Sequence, residues 1–308
     1  MKFSITHPLA AGECDPAFLE PANLVRFAQA VESAGFAGLA FTDHPAPSQK
    51  WLDAGGHQAL DPFVALGFMA AATQTLRLMP NIVVLPYRNP FITAKGGATV
   101  DVLSGGRFTL AVGTGYLKSE FRALGVDFDE RNDLVDEALE VIRAIWTTDD
   151  LDYEGRRFSA RGISSHPRPI QQPHPPIWIG GNGARARQRV CDHGAGWNPF
   201  PAPAWLARTS RTVAMETPDD LARGLDDLRS RLDRAGRSHH DVDVAFANPA
   251  GGDPASADFD VDTHLEGLDA LAELGVTWTG VSVPGANWNS ALDVVARYGE
   301  TVIAGHGG

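Results

Sequence analysis

The chain has 308 residues, of which 44% are hydrophobic and 21% are charged, and this composition is typical of a globular protein rather than a disordered one. Its formal net charge is −12 and it contains no basic block, which argues against nucleic acid or an anionic membrane as a partner. The longest apolar stretch, Phe63 to Ala72, is too short for a membrane span of about 20 residues. Because no signal peptide opens the chain, we expect a cytoplasmic protein.

The two cysteines, Cys14 and Cys191, are far apart in the sequence and form no CxxC motif. This spacing gives no indication of a metal site or of a redox pair. We therefore expect both thiols to be reduced and without a catalytic role, and the sequence predicts no metal.

In the first third of the chain, short apolar runs alternate with longer amphipathic stretches. The predicted strands are Lys2–Leu9, Gly38–Thr42, Leu76–Leu85 and Arg107–Val112. Apolar residues at helical spacing follow the first strand, and Gly35 ends that helix. Asp61-Pro62 and Asn89-Pro90 each begin a further helix, because aspartate or asparagine caps the first N–H groups and proline fits the first turn. The helix after Asn89 runs to about Leu103.

The alternation continues less evenly in the rest of the chain. Apolar residues spaced i, i+4 and i+7 from Leu134 to Ile145 predict one long helix, and Tyr153–Arg157 predicts a small hairpin turn. A helix is predicted from about Ala184 to Asp192. The later predicted strands are Ile177–Ile179, Trp197–Phe200, Val242–Ala247 and Thr277–Val283.

Regular alternation of strands and helices predicts parallel strands, in either a closed (β/α)8 TIM barrel or an open doubly wound sheet. The barrel is favoured because the strand count is near eight and no GxGxxG motif follows the first strand. The sequence contains no linker or repeat, so we expect one domain over residues 1–308. The segment Asn248–Asp260 reads as a flexible loop after a strand, which in a barrel lies on the catalytic face and is a candidate lid.

Active sites of such barrels lie at the carboxyl ends of the strands, and two predicted strands end in glycine-rich turns. Gly180, Gly181 and Asn182 precede a helix, where free backbone N–H groups suit a phosphate; the alternative is a tight turn that needs positive φ. The turn made of Gly113, Thr114 and Gly115 allows close approach of a flat ring or its polyol chain, the alternative being simple packing.

The second predicted strand ends in Asp43-His44, the one place where a histidine stands cleanly at a strand end beside a carboxylate. A histidine there suits general acid–base chemistry near neutral pH, although a lone histidine is more often structural. Arg185, Arg187 and Arg189 follow the glycine turn. They are either a solvated helix face or a source of positive charge near a phosphate.

Together these motifs resemble the bacterial luciferase-like family of flavin and deazaflavin oxidoreductases, in particular its coenzyme F420-dependent branch. The resemblance covers roughly residues 1 to 200. It rests on Phe41–His44, on Leu85–Pro90 with Ala94-Lys95, on Thr99–Phe108 running into Gly113–Gly115, and on Arg168–Gly181 followed by Gly194–Trp197.

The resemblance implies a TIM barrel that binds a flavin-type ring near its second to fourth strand ends and a phosphate at the fifth-strand turn. It places His44 beside the redox face of the ring as proton donor or acceptor, with Asp43 orienting it or contacting the cofactor. It also implies a bulge with a non-prolyl cis peptide around Ile82–Val83, behind the ring. Sugar-phosphate dehydrogenases of the family have a glutamate after the Gly-Thr-Gly turn, where this chain has Tyr116. We therefore do not expect sugar-phosphate oxidation, and Tyr116 either donates a hydrogen bond to the substrate or packs at the rim.

The expected function is hydride transfer between coenzyme F420 and a small organic substrate, in a direction that the sequence leaves open. Two alternatives remain: an FMN-dependent monooxygenase of the same family, and a flavin-binding relative without catalytic activity. The family also implies a homodimer. If Arg185 or Arg187 contacts the anionic tail of F420, cofactor binding should weaken as salt rises.

Overall fold

A computed structural model describes residues 1–306 of the chain as eleven short strands and twelve α-helices. The strands are β1 Lys2–Thr6, β2 Gly38–Phe41, β3 Arg77–Pro80, β4 Val83–Val84, β5 Leu110–Gly113, β6 Leu151–Glu154, β7 Ser159–Ile163, β8 Ile177–Gly180, β9 Gly196–Asn198, β10 Asp243–Val244 and β11 Trp278–Val281. The helices are α1 Pro21–Ser33, α2 Gln49–Asp53, α3 Pro62–Ala72, α4 Pro90–Leu103, α5 Lys118–Ala123, α6 Arg131–Thr147, α7 Ala184–His193, α8 Ala204–Ser210, α9 Pro218–Arg234, α10 Val261–Leu274, α11 Trp288–Tyr298 and α12 Ala304–His306.

Two parallel sheets, in the orders β11-β1-β2-β3 and β10-β9-β8-β5-β4, form the wall of a barrel. Parallel bridges from Leu78 to Phe108 and from Ala245 to Trp278 join the two sheets at both seams. Because β3 and β4 are two parts of one strand, the ring has eight strands. This arrangement confirms the predicted (β/α)8 TIM-barrel fold. The antiparallel hairpin of β6 and β7 is an insertion outside the ring.

The local signals act as predicted at the start of the helices. The Asp61 carboxylate accepts the N–H groups of Phe63 and Val64, and the Asn89 side chain accepts the N–H of Phe91. These contacts satisfy N–H groups that a helix leaves free in its first turn. Helices α3 and α4 therefore begin at the predicted prolines, and α4 ends at Leu103 as predicted.

The third strand is the main departure from the predicted elements. Leu76–Leu85 was expected to be continuous, but the chain leaves the sheet after Pro80 and rejoins it as β4, with a cis peptide bond between Asn81 and Ile82. The non-prolyl cis peptide therefore lies one bond before the predicted position. The break turns Ile82 toward the inside of the barrel, where it lines a cavity.

Two apolar clusters divide the interior. The larger one lies between the barrel wall and the surrounding helices. The smaller one lies inside the ring of strands, and it includes the edge-to-face pair of Trp178 and Trp278 with Met79. None of the helices within residues 1–306 is long and apolar enough to cross a membrane.

Candidate active site

A cavity of ≈ 420 Å³ opens at the carboxyl ends of the barrel strands. Such a volume suits a cofactor or a small substrate. Its floor is formed by Met79, Trp178 and Ala245 from the small interior cluster, and its walls come from the loops that follow the strands. The position is the one at which barrel enzymes bind their ligands.

Nine of the residues predicted for the site line this cavity: Asp43, His44, Ile82, Gly113, Thr114, Gly115, Tyr116, Gly180 and Gly181. Val83 and Asn182 do not line it. Successive side chains of a strand point to opposite faces, so Val83 lies in the core between barrel and helices while its neighbours face inward. The Asn182 amide is buried and bonds the backbone of Phe200 and Val213, so it braces the loops instead of facing a ligand.

His44 is held at the cavity wall by a buried glutamate that the sequence analysis did not identify. Its Nδ1 lies 3.1 Å from Oε2 of Glu120, whose side chain is fully buried. A carboxylate can only accept, so Nδ1–H is the donor. Within the described chain Nε2 of His44 has no hydrogen-bond partner. The imidazole is therefore fixed in one orientation, with one nitrogen left for chemistry.

Glu120 accepts two further hydrogen bonds, from the Ala46 N–H at 3.1 Å and from the Tyr87 hydroxyl at 3.0 Å. Burial raises the pKa of Tyr87, and the Glu120 charge raises it further, so the phenol stays protonated and donates. Helix α5, which begins just after the Gly-Thr-Gly turn, supplies Glu120. A glutamate four residues beyond Tyr116 was visible in the sequence, but nothing there indicated that its side chain reaches back to His44.

Asp43 does not orient His44, contrary to one of the roles expected for it. Its buried carboxylate accepts the Val84 N–H at 3.0 Å and forms an ion pair with Arg88 at 2.8 Å. Arg88 also pairs with Asp61. Asp43 thus anchors the end of the interrupted third strand to the second strand. It also lines the cavity, so its contact with the cofactor stays a prediction.

Aromatic side chains surround the His44 ring. Trp51, His57 and Tyr116 lie with ring centroids 4.7, 4.9 and 6.1 Å from it. Burial lowers the pKa of His57. Burial, together with the charge of Glu120, raises the pKa of Tyr116. Both groups are therefore uncharged near pH 7. On this side His44 faces aromatic rings, and of these His57 and Tyr116 can each form a hydrogen bond.

The glycines at the strand ends make room for Ile82. A Cβ on Gly113 would stand 2.0 Å from Cδ1 of Ile82, and one on Gly180 would stand 3.0 Å from the same atom. On Gly115, which has φ +72°, a Cβ would stand 2.5 Å from the Val84 side chain. The sequence interpretation gave the turn of Gly113 and Gly115 close approach to a flat ring or its polyol chain, and gave Gly180 a place in a phosphate turn. The structure shows that the three glycines also seat the bulged third strand, and all three line the cavity.

The expected phosphate turn is partly used by the protein. The N–H of Gly181 donates to Asn198, and that of Asn182 donates to the Thr212 hydroxyl. Helix α7 begins just beyond and has no side-chain cap, so its first N–H groups keep the anion-binding character of a helix start.

The arginines expected near a phosphate point elsewhere. Arg185 pairs with Asp133 and Asp136, and Arg187 pairs with Asp227. Neither lines the cavity. Among the arginines and lysines of residues 1–306, the one that lines it is Arg211, which has a left-handed backbone with φ 54° and lies between Ser210 and Thr212 in the chain. No sequence motif marked it.

The loop Asn248–Asp260 does not cover the cavity. The His264 ring on α10 contacts Asn248 and the Ala250 carbonyl, and Arg297 on α11 bonds the Pro254 carbonyl. The cavity wall from this strand ends at Ala247. The loop is therefore tied to the outer helices, and the expectation of a lid is not met in this conformation.

The chain is similar in sequence to several known proteins. An uncharacterised protein of Mycobacterium tuberculosis is 30% identical over 240 residues, which cover 78% of this chain and 75% of that protein. An F420-dependent glucose-6-phosphate dehydrogenase of Microbacterium testaceum is 29% identical over 83% of this chain and 70% of its own. An FMNH2-dependent dimethylsulfone monooxygenase of Pseudomonas putida is 35% identical, over only 40% of this chain and 36% of its own.

Solved structures share the whole fold. The monooxygenase RslO1 from Streptomyces bottropensis superposes with a TM-score of 0.80 at 21% identity, covering 99% of this chain and 100% of its own. The F420-dependent tetrahydromethanopterin reductase from Methanopyrus kandleri gives 0.74 at 19% identity, covering 99% of both chains. The model of the luciferase-like monooxygenase family matches residues 1–257. The chain therefore belongs to the luciferase-like family of oxidoreductases, which has both F420-dependent and FMN-dependent members.

Proposed function

We propose that the protein is an F420-dependent oxidoreductase that transfers a hydride between the cofactor and a small organic substrate. The observation that carries the proposal is the pairing of His44 with buried Glu120 at the wall of the cavity. The carboxylate accepts the Nδ1–H and fixes the imidazole in one orientation. This is an arrangement for moving a proton at Nε2.

The residues present fit a flat tricyclic cofactor. The bulge at Ile82, seated against Gly113 and Gly180, offers a platform beside His44, and the uncapped start of α7 suits the cofactor phosphate. Bound F420 would supply two-electron hydride chemistry there. The protein's own part is to position the substrate, to exclude water and to handle the proton.

His44 would move a proton in either direction of the reaction. In oxidation of an alcohol, Nε2 of His44 would take the hydroxyl proton, with bound F420 as the hydride acceptor. In reduction of an activated double bond or carbonyl, Nε2 would return a proton to the substrate, with reduced F420 as the hydride donor. Tyr116 stands close enough to the His44 ring to donate a hydrogen bond to the same substrate.

Parallel fluorescence titrations of the purified apoprotein with F420 and with FMN test the cofactor. We expect F420 to bind at micromolar concentration or tighter and FMN to bind more weakly. Preference for FMN would overturn the proposal and favour the second candidate, an FMN-dependent monooxygenase, to which the partial similarity to the dimethylsulfone monooxygenase points.

The proton role is tested with His44→Ala and His44→Asn. Loss of a general acid–base group typically lowers turnover by about 10²–10⁴-fold, so we expect a fall in that range with F420 affinity nearly unchanged. Turnover equal to that of the wild type would remove His44 from the mechanism, and binding without any turnover in the wild type would favour a non-catalytic flavin-binding protein.

A further inference from the structure

Three cationic side chains converge on one aromatic ring beside the cavity. The guanidinium carbons of Arg131 and Arg211 lie 3.9 and 5.0 Å from the centroid of Phe128, and Nζ of Lys118 lies 5.0 Å from it. The three cations lie at helix ends: Lys118 at the start of α5, Arg131 at the start of α6 and Arg211 just after the end of α8. We call them the Phe128 cation cluster.

Several arginines of this acidic chain have carboxylate partners that these three cations lack. Arg88, Arg156, Arg185, Arg187 and Arg189 all form ion pairs. Within residues 1–306, none of the three members of the cluster forms a salt bridge. Burial and the charge of Arg211 lower the pKa of Arg131, although Asp129 partly offsets this. The three positive charges thus lie together at one aromatic ring, and none of them is held in an ion pair, which leaves them available to an anionic partner outside the chain.

The cluster is continuous with the cavity through Arg211. That residue both lines the cavity and contacts Phe128, and its neighbours Ser210 and Thr212 also line the cavity. Lys118 and Arg211 are exposed to solvent. An extended anion that leaves the cavity past Arg211 therefore meets the cluster at the surface.

We propose that the Phe128 cation cluster binds the oligoglutamate tail of F420, so that the protein recognises its cofactor by the tail as well as by the ring. The proposal rests on the proposed function. An extended chain with several carboxylates matches three separated cations, whereas FMN offers a single phosphate that the start of α7 can already hold. The cluster would thus favour F420 over FMN in a chain whose overall charge opposes both.

The test compares F420 with the same deazaflavin riboside lacking phosphate and glutamates, in fluorescence titrations. The variant protein carries Lys118→Gln, Arg131→Gln and Arg211→Gln together, and the control is Arg185→Gln, whose guanidinium pairs with Asp133 and Asp136. Each exposed ion pair contributes roughly two- to threefold, so the triple variant should bind F420 about tenfold more weakly. Its affinity for the tail-free riboside and its melting temperature should match those of the control.

Salt gives a second readout. Raising the ionic strength from about 20 mM to about 300 mM shortens the screening length severalfold, so it should weaken F420 binding to the wild type more than to the triple variant. If the triple variant binds F420 as the wild type does, with the same salt dependence, the tail site is wrong and the cofactor assignment stands. If the wild type binds neither F420 nor the riboside, the proposed function fails and the tail site with it.

Discussion

At the scale of single residues, the candidate site depends on a partner that sequence order conceals. Asp43 adjoins His44 in the chain, yet its carboxylate is occupied by Arg88 and the Val84 N–H. Glu120, 76 positions away, contacts the imidazole instead. Buried polar groups need hydrogen-bond partners, and this requirement explains why the two carboxylates have different contacts. Each one accepts from the nearby buried donors that would otherwise lack an acceptor.

Glu120→Gln tests this positioning role. A glutamine keeps the size but offers only a neutral amide oxygen to the Nδ1–H of His44, so it holds the imidazole less firmly. We therefore expect turnover to fall about ten- to a hundredfold with little change in KM. Glu140→Gln is the matched control, since Glu140 also accepts a tyrosine hydroxyl, that of Tyr153, but on the outside of the barrel. If Glu120→Gln turns over as fast as Glu140→Gln, the contact is only structural.

At the scale of elements, the interrupted third strand is what shapes the cavity wall. Its bulge aims Ile82 inward, and two neighbouring strands present glycines to receive that side chain. Bulges beside active sites commonly re-aim a side chain in this way. The strand ends β5 and β8 are therefore matched to the bulge, and a substitution in one element should be corrected by a substitution in the other.

Gly113→Ala tests this match between elements. The added methyl group would stand 2.0 Å from Cδ1 of Ile82, and overpacking of this kind typically costs about 1–3 kcal/mol. We expect a lower thermal midpoint, restored in Gly113→Ala with Ile82→Val because valine lacks the Cδ1 atom. Gly280→Ala is the control, as a Cβ there meets nothing within 4 Å. Equal midpoints for the single variant and the control would contradict the packing argument.

At the scale of the whole molecule, stability should depend on pH through a buried histidine. His7 packs among Phe18, Phe27 and Phe41, and burial lowers its pKa to about 3. The unfolded chain takes up a proton at His7 below about pH 6.5, whereas the folded protein does not. The free energy of unfolding is therefore not reduced by His7 above that pH, and it decreases as the pH falls from about 6.5 toward 3.

Urea unfolding of the wild type and of His7→Phe at pH 7 and pH 5 measures this effect. From pH 7 to pH 5 the free energy of unfolding of the wild type should fall by about 2 kcal/mol more than that of the variant. This free energy changes by about 1.4 kcal/mol per pH unit below the pKa of the unfolded histidine. Acidic groups that also titrate are common to both proteins and cancel in the difference. Parallel loss in the two proteins would show that His7 does not control acid stability.

Much of the architecture was predictable because its signals are local. Asp61 and Asn89 cap their helices within three residues, and the alternation of buried strands with helices implied the barrel and located its catalytic end. The sequence by itself therefore determined the fold class and the strand ends that carry His44, Gly113 and Gly180.

Only the tertiary structure decided which distant groups meet at those ends. Glu120 contacts His44, and Arg211 rather than Arg185 lines the cavity. Asn182 and Val83 do not line it. All of these outcomes depend on how the loops fold against one another. Side-chain pairing across such loops follows from distance, burial and available hydrogen-bond partners. Contacts of this kind produce no periodic pattern in the sequence. For this physical reason the sequence predicted where the site lies but not which side chains contact one another there.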